Sequence, residues 1–337
     1  MTAPFPRLLA QVDALKDLTS EDSRSAFDAI FNGAVSEDLL ASFLIALNTK
    51  GETPDELLGA ARSMRDHALK INAPPGAMDI VGTGGDSHGT LNISTAVALV
   101  VAGCGVPVAK HGNRASTSRS GSSDVLIALG INVDADFKVL EECLEVAKCC
   151  FLHAPRHHPA MRHVAEIRRR LNRRTIFNLL GPLTNPANIR KHLIGVYSLE
   201  WLGPMAEVLK GLGSESAWLA HGHDGMDEMT TTEATDIVEL RHGMIRHFTL
   251  EPEQVGLARA PLAALKGGDA TQNAAAIHAL LRGEKNAYRD IVVFNAAGAL
   301  VVAGKVKDLS QGVRAAADCL DTGAARAVLT KLIELTS

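Results

Sequence analysis

The sequence is poor in cysteine, and its cysteines show no pairing pattern. The 337 residues contain five, an odd number, with no C-x-x-C spacing among them: Cys104, Cys143, Cys149, Cys150 and Cys319. A chain of this length buries enough apolar surface to fold without disulfide staples. We therefore expect free thiols, a reducing cytoplasmic compartment and no cysteine-based metal site.

Long hydrophobic runs are missing as well. The longest apolar stretch, residues 96–109, contains Gly103, Gly105 and Pro107 and falls short of the ~20 residues that a membrane-spanning helix needs. The first residues do not lead from a basic region into an apolar one, as a secretory signal would. We expect neither a targeting segment nor a membrane partner.

The chain also lacks an excess of positive charge. Its formal net charge is −4 and its pI is near 6.4, which argues against general attraction to nucleic acid or to an anionic membrane. With 46% apolar residues, it is an ordinary globular sequence with a substantial core. Any polyanionic ligand must therefore be held by local groups.

Two periodicities divide the chain. Apolar residues at helical spacing, such as Leu40 and Phe43, predict a small all-helical N-terminal domain over residues 1–72. Residues 73–337 alternate β-type and helical runs, which predicts a larger α/β domain with a mainly parallel central sheet flanked by helices. The predicted strands are Met78–Val81, Val106–Ala109, Leu193–Tyr197, Ser216–Ala220, Ile237–Leu240 and Met244–Phe248.

Turn and cap residues add detail to this outline. Thr53-Pro54 followed by two acids predicts a helix start. His242-Gly243 predicts a hairpin that supplies an antiparallel edge strand. Residues 256–268 resemble a surface connection, which is followed by C-terminal helices around 274–281, 290–302 and 324–335.

Two glycine-containing turns follow predicted strands and precede helical stretches. The first is Gly82-Thr-Gly-Gly-Asp86, with Asn92-Ile-Ser-Thr95 after it, and the second is Lys110-His-Gly-Asn-Arg114. Backbone N–H groups and a helix N-terminus can converge on an anion at such turns. Many turns of this kind need only the backbone freedom of glycine, and neither matches the dinucleotide or P-loop spacing. Together they indicate one large polyanionic ligand.

With two further motifs, the chain resembles the anthranilate phosphoribosyltransferase family. Phe177-Asn-Leu-Leu-Gly-Pro-Leu-Thr-Asn-Pro186 and Asp224-Gly-Met-Asp-Glu228 follow the glycine turns in the order and spacing of that family, over nearly the whole chain. The resemblance implies transfer of a phosphoribosyl group from 5-phosphoribosyl 1-pyrophosphate (PRPP) to the amine of anthranilate, in tryptophan biosynthesis. It also implies that helices near residues 160–190 return to the N-terminal domain.

The donor carries a phosphate and a pyrophosphate, so its site needs N–H groups, hydroxyls, a lysine and metal ions. The family motifs assign these groups to positions in the two turns and the helix after the first. The PRPP-binding residues are then Gly82, Gly85, Asp86, Thr90, Asn92, Ile93, Ser94, Thr95, Lys110, His111, Gly112, Asn113, Arg114, Ala115, Ser116, Thr117, Ser118 and Ser122.

Asp227 and Glu228 are adjacent acids that would repel a pyrophosphate unless a cation lay between them. Mg²⁺ fits, because it is commonly shared between carboxylates and substrate phosphates. The resemblance adds the Ser94 hydroxyl as a ligand and implies two Mg²⁺ ions per monomer. A solvated acidic loop is the simpler alternative.

The acceptor carries a carboxylate, for which the basic run from Arg168 to Arg174 offers partners. Such a run is usually a solvated helix face, and the resemblance selects Arg168, with Asn113 and Gly82 completing the anthranilate site. It leaves His111 lining the pocket without a role as a base. An aromatic amine is neutral near pH 7, so we expect no catalytic acid, base or nucleophile, and catalysis by orientation and electrostatics.

Three other functions are compatible with parts of the sequence. A pyrimidine-type nucleoside phosphorylase shares the architecture, but it has a longer glycine- and threonine-rich second loop than Ser120–Asp124. The arginine run could bind nucleic acid, against which the net charge argues. Two histidine clusters suggest zinc, but no H-E-x-x-H motif is present. They comprise His153, His157, His158 and His163, and His221 and His223.

The sequence says little about assembly. Phe43 and Leu44 would suit a dimer interface if exposed and the core if buried, and the family resemblance implies a homodimer.

Overall fold

The computed structural model describes residues 5–113 and 120–337. Four helices come first: α1 (Phe5–Asp13), α2 (Ser20–Phe31), α3 (Glu37–Lys50) and α4 (Pro54–Asp66). The predicted helix start is confirmed, because Thr53 Oγ1 accepts a hydrogen bond from Glu56 N at 3.3 Å and the Glu56 carboxylate accepts one from Thr53 N at 2.9 Å. This reciprocal pair satisfies two N–H groups at the start of α4.

A seven-stranded sheet forms the centre of the larger part. Its strands are β1 (Met78–Gly82), β2 (Val108–Gly112), β3 (Cys149–His153), β4 (Lys191–Gly195), β5 (Ser216–Gly222), β6 (Thr235–Arg241) and β7 (Met244–Leu250). The spatial order is β3-β2-β1-β4-β5-β6-β7, and the first five are parallel. The predicted α/β class with a mainly parallel sheet is confirmed.

The helices after β1 flank this sheet, except for two that pack on the N-terminal helices. The full set is α5 (Ile93–Gly103), α6 (Ser122–Ala128), α7 (Phe137–Val146), α8 (Ala154–His157), α9 (Arg162–Leu171), α10 (Phe177–Leu180), α11 (Leu202–Gly211), α12 (Ala270–Leu281), α13 (Ala287–Ala303), α14 (Leu309–Asp321) and α15 (Ala324–Thr336). Among the described residues, no helix is long and apolar enough to cross a membrane.

The predicted hairpin is present at the sheet edge. β6 and β7 pair antiparallel, with Arg241 opposite Met244. His242 and Gly243 adopt φ values of 52° and 76°, the left-handed pair that a two-residue hairpin turn requires. β7 therefore forms the antiparallel edge, as expected.

Two elements escaped the sequence analysis. β3 is fully buried at the opposite edge, and its sequence Cys-Cys-Phe-Leu-His lacks β-branched residues and alternation. α14 lies between two helices that were predicted. The predicted Leu193–Tyr197 strand also begins two residues too late, because β4 starts at Lys191.

The returning helices pack on the N-terminal ones. Phe177 of α10 lies 5.7 Å from the ring of Phe27 and 6.2 Å from the ring of Phe31, both in α2. Val164 and Ile167 of α9 are buried in the same core. The core of the helical part is thus completed by α9 and α10, which follow β3 in the chain. The domain bounds 1–72 and 73–337 remain a prediction.

Phe43 and Leu44 do not form an exposed interface. Both are completely buried, and Phe43 lies 5.1 Å from the ring of Phe5 and 6.1 Å from the ring of Phe27. The core alternative is therefore correct for these two residues.

Candidate active site

The site lies where three parallel strands end. Gly82, Gly112 and Gly195 are the last residues of β1, β2 and β4, and Gly82 pairs with Gly195. A Cβ added at Gly195 would lie 1.6 Å from Asp227 O, and one at Gly82 would lie 2.6 Å from Asp227 Oδ2. Glycine is needed here because the loop of residues 224–228, called the acidic loop below, packs directly on the strand ends.

The first glycine turn is fastened to this acidic loop. Gly84 and Gly85 have φ values of 69° and 83°, and Gly84 N donates to Asp227 Oδ2 at 2.8 Å. Thr83 N donates to Gly195 O at 2.9 Å. The turn and the carboxylate are therefore positioned by each other.

The far side of this turn is held by residues 265–267, which the sequence analysis assigned to a surface connection. Leu91 N donates to Leu265 O at 3.0 Å, and Gly267 N donates to Gly89 O at 2.9 Å. Leu265 is completely buried. Residues 256–268 are otherwise a mostly exposed connection, as predicted, but this stretch also pairs with Thr90 and supports the loop.

The N-terminus of α5 faces the acidic loop. Asn92 is the N-cap residue, but its side chain accepts from Asn273 Nδ2 at 2.8 Å and does not cap the helix. The backbone N–H of Ser94 instead lies near the Glu228 carboxylate and lowers its pKa. Ile93 is buried, and the buried Thr95 Oγ1 has no hydrogen-bond partner in the part of the chain that the structure describes. Such a helix end, with a free hydroxyl, favours a bound anion.

Three carboxylates converge at this helix end. Burial and, to a smaller extent, the neighbouring Asp86 carboxylate together raise the pKa of Asp227 to about 8. Burial and the charge of Asp227 likewise hold the pKa of Glu228 above its usual range, while Lys110 opposes this rise. Asp227 and Glu228 are therefore costly to ionise next to each other, so a cation beside them would be strongly favourable.

The donor set fits Mg²⁺. Asp227, Glu228 and the Ser94 hydroxyl offer hard oxygen ligands, which Mg²⁺ prefers. Within residues 5–113 and 120–337, no cluster of three His, Cys, Asp or Glu side chains is arranged to hold a metal by itself. An ion held by Asp227, Glu228 and Ser94 would share its coordination with water and substrate phosphates.

The acidic loop is shaped by residues that the sequence analysis did not select for this role. Asp224 Oδ1 accepts from Met226 N at 3.0 Å, and its Oδ2 accepts from Thr230 Oγ1 at 2.7 Å. The buried Asn295 of α13 accepts from Met229 N at 3.0 Å and donates to Met229 O at 2.8 Å. For Asn295, the only sign of such a role in the sequence was an asparagine among the apolar residues of a predicted helix.

Lys110 lies beneath the site. It is 2% exposed, and its Nζ donates to Ile80 O at 2.7 Å. Burial lowers its pKa, while Asp79 and Glu228 favour its charged form. Its charge is therefore placed to balance the buried acids.

The rest of the second turn surrounds His111. Its Nδ1–H donates to Gly181 O at 3.1 Å, and its buried Nε2 has no partner among the described residues. Burial holds the pKa of this imidazole well below its usual range, so the ring is neutral near pH 7. Ser122 Oγ donates to Asn113 O at 3.1 Å. The predicted donor residues Arg114, Ala115, Ser116, Thr117 and Ser118 lie outside the described residues.

The arginine run separates into different environments. Arg169 pairs with Glu166, and Arg170 pairs with Glu37 at 2.9 Å. Arg168 is half-buried over the Phe177 ring, 5.4 Å from its centroid, and makes no ion pair with the described residues. Its positive charge is therefore available to a ligand.

Arg174, which the sequence analysis did not select, touches the first glycine turn. Its guanidinium donates to Gly85 O at 2.6 Å and lies 4.0 Å from the centroid of the Tyr197 ring. Tyr197 N in turn donates to Thr83 Oγ1 at 3.0 Å. Arg174 thus ties the segment between α9 and α10 to the turn.

We expect Gly195→Ala to destabilise the protein, because its Cβ would overlap the Asp227 carbonyl. Overpacking of this kind costs about 1–3 kcal/mol or more. The urea-unfolding midpoint followed by circular dichroism measures it. Gly203→Ala is the matched control, since its Cβ would have no atom nearer than 3.9 Å. Equal midpoints for the two variants would contradict the close packing.

Comparisons with known proteins agree with this geometry. The family described as glycosyl transferase family, a/b domain, matches residues 74–326, and the glycosyl transferase family, helical bundle domain, matches residues 6–68. The anthranilate phosphoribosyltransferase of Paramagnetospirillum magneticum is 55% identical over 335 residues, which are 99% of this chain and 97% of that protein.

Solved structures give the same result. The enzyme of this name from Thermus thermophilus superposes with a TM-score of 0.92 at 42% identity, covering 98% of this chain and 99% of that one. The one from Saccharomyces cerevisiae, in complex with PRPP and Mg, superposes with a TM-score of 0.89 at 28% identity, covering 98% of both chains. The resemblance drawn from the sequence motifs is confirmed: the chain belongs to the anthranilate phosphoribosyltransferase family.

Proposed function

We propose that this protein transfers the phosphoribosyl group of PRPP to the amine of anthranilate, releasing pyrophosphate, as a step of tryptophan biosynthesis. One observation carries the proposal: the glycine turn and the acid pair are joined by the hydrogen bond from Gly84 N to Asp227. An anion held by the turn and by α5 would therefore lie next to a cation held by the acids.

The donor would occupy the space between the two turns and the N-terminus of α5. Ser94, Thr95 and the Gly85 region supply N–H groups and hydroxyls toward its anionic oxygens, and Lys110 contributes positive charge from below. Asp227, Glu228 and the Ser94 hydroxyl would hold Mg²⁺, for which we propose two ions per monomer. When bound, Mg²⁺ neutralises charge on the pyrophosphate and makes it a better leaving group.

The acceptor would lie against Arg168, Asn113 and Gly82. The unpaired, half-buried guanidinium of Arg168 suits a benzoate carboxylate, which it can grip in a planar fork. His111 would line this pocket as a neutral ring, fixed by Gly181.

The chemistry needs orientation more than a base. The bond between the anomeric carbon and the pyrophosphate oxygen breaks with its electron pair on pyrophosphate, and the amine lone pair forms the new N–C bond. The amine then releases its proton. An uncharged amine needs no prior deprotonation, so holding both reactants in line supplies most of the rate enhancement.

We also propose a homodimer located in the cytoplasm. Leu39 and Ile45 of α3 are each 38% exposed and offer apolar contact area at the outer surface of the helical part. The five cysteines are all free, which agrees with a reducing compartment.

The first test is an assay of anthranilate consumption, followed by its fluorescence, with PRPP present. We expect consumption with Mg²⁺ and loss of consumption with a chelator. Without the cation, the negative charges of the acid pair would repel the pyrophosphate of PRPP. Folded protein that leaves anthranilate unchanged but cleaves a pyrimidine nucleoside with orthophosphate would instead favour the phosphorylase alternative.

We expect Arg168→Ala to raise the KM for anthranilate about 10- to 100-fold, because a charged hydrogen bond contributes about 1.5–3 kcal/mol. The Kd for PRPP, measured by calorimetry, should stay within about twofold. Arg169→Ala is the matched control, since Arg169 is exposed and paired with Glu166. If Arg168→Ala weakened the binding of anthranilate and of PRPP equally, the assignment of Arg168 to the acceptor would be refuted.

We expect Asp227→Asn combined with Glu228→Gln to abolish turnover and the Mg²⁺ dependence of PRPP binding. The two amides keep the shape of the loop but lose the charges that hold the cation. Calorimetric titration of PRPP with and without Mg²⁺ measures this. The control is Glu251→Gln with Glu253→Gln, two exposed acids that pair with Arg259. Unchanged Mg²⁺ dependence in the first double variant would exclude these acids as ligands.

A further inference from the structure

A polar cavity lies at the amino ends of the parallel strands, opposite to the active site at their carboxyl ends. It has a volume of about 310 Å³ and is lined by the end of α4, the residues that lead into β4 and the end of α11. The glycine turns follow the carboxyl ends of the strands, whereas this cavity adjoins their amino ends. Its size is in the range of small-molecule sites.

The cavity is strongly cationic in a chain whose net charge is −4. Four of its lining residues are basic, namely Arg24, Arg62, Arg65 and Lys70, and a single lining residue, Asp66, is acidic. Arg24 pairs with Asp66 at 2.8 Å, which leaves three basic residues facing the cavity without a lining carboxylate. Like charges gathered in a concave site repel one another and attract anions.

These remaining cations are incompletely paired. Arg62 donates to Gly211 O at 3.3 Å and lies 3.8 Å from the Glu21 carboxylate. Lys70 makes no ion pair with the described residues. Arg65 Nε donates to Leu183 O at 2.7 Å, but one terminal nitrogen of this guanidinium is buried and has no hydrogen-bond partner within residues 5–113 and 120–337.

The partly buried charge of Arg65 is the second observation that indicates a ligand. Burial lowers the pKa of Arg65 to about 10, so the group stays charged at neutral pH. A charged group that has lost part of its hydration is costly without a counter-charge. The nitrogen without a partner has almost no accessible surface, so an oxyanion in the cavity would offset the charge of the guanidinium as a whole and would not contact that nitrogen.

We propose that this cavity is a binding site for a small phosphate- or carboxylate-bearing molecule, distinct from the active site. Arg62 and Arg65 of α4 and the following Lys70 supply the charged donors. The ligand would bridge α4 and the turn before β4, and so join the helical part to the sheet.

The position of the site makes the bound molecule a candidate effector. Arg65 holds Leu183 O, and the same turn carries Gly181, which fixes His111, and Asn185. The Asn185 amide donates to Asp79 at 2.7 Å, and Asp79 accepts from His111 N at 3.0 Å. One continuous set of hydrogen bonds therefore runs from the cavity wall to the second glycine turn.

The test is calorimetric titration of the full chain with inorganic phosphate, and separately with succinate, first without PRPP and then after the active site has been saturated with PRPP and Mg²⁺. The variant Arg62→Gln with Lys70→Gln removes two charges and leaves the Arg65–Leu183 contact in place. We expect it to weaken binding of the tighter probe at least tenfold. The control, Lys307→Gln with Arg314→Gln, removes two exposed charges elsewhere and should bind like the original protein.

Three results would overturn the proposal. They are no binding of either probe by the original protein, equal weakening in both double variants, and binding that disappears when PRPP occupies the active site. Thermal unfolding of each variant establishes that it is folded. Because the variants alter the cavity alone, failure here would leave the transferase assay unaffected, and failure of that assay would leave this titration interpretable without PRPP.

Discussion

The contact between the Asp227 loop and the glycine ends of β1 and β4 is the constraint on which the site depends. Its backbone lies where a side chain at Gly195 would have to be. This close approach places a carboxylate within hydrogen-bonding distance of Gly84 N and the adjacent Glu228 at the N-terminus of α5. Cation and anion subsites are thus set by backbone geometry, before any ligand binds.

Electrostatics follows from the same arrangement. Two acids and Asp86 are gathered in a largely buried space, with one buried lysine as their nearest cation. The α5 N-terminus supplies a partial positive charge on the same side. The acids therefore carry more negative charge than the protein itself neutralises, and they favour the binding of cations. Bound cations suit a reaction whose donor and leaving group are both polyanions.

Much of this could be predicted from the sequence, because glycines, acids and β-branched runs act through local rules. β1, β5 and the hairpin at His242 follow from such patterns. The family resemblance supplied Arg168, and its unpaired guanidinium agrees with that assignment. By contrast, β3 consists of residues that serve equally well in a buried helix. Leu265, Asn295 and Arg174 matter through contacts with distant residues, and no spacing along the chain encodes these.

The N-terminal helices have a consequence for how the chain folds. Their core is closed by Phe177, Val164 and Ile167, which lie more than a hundred residues after α2. During synthesis, α1 to α4 emerge first, yet the faces of Phe27 and Phe31 that contact Phe177 stay uncovered until α10 has left the ribosome. Contacts between residues so far apart in sequence slow folding and prolong the exposure of apolar, aggregation-prone surface. Order of synthesis and order of completion therefore differ: the segment made first is finished only after most of the parallel sheet has been made.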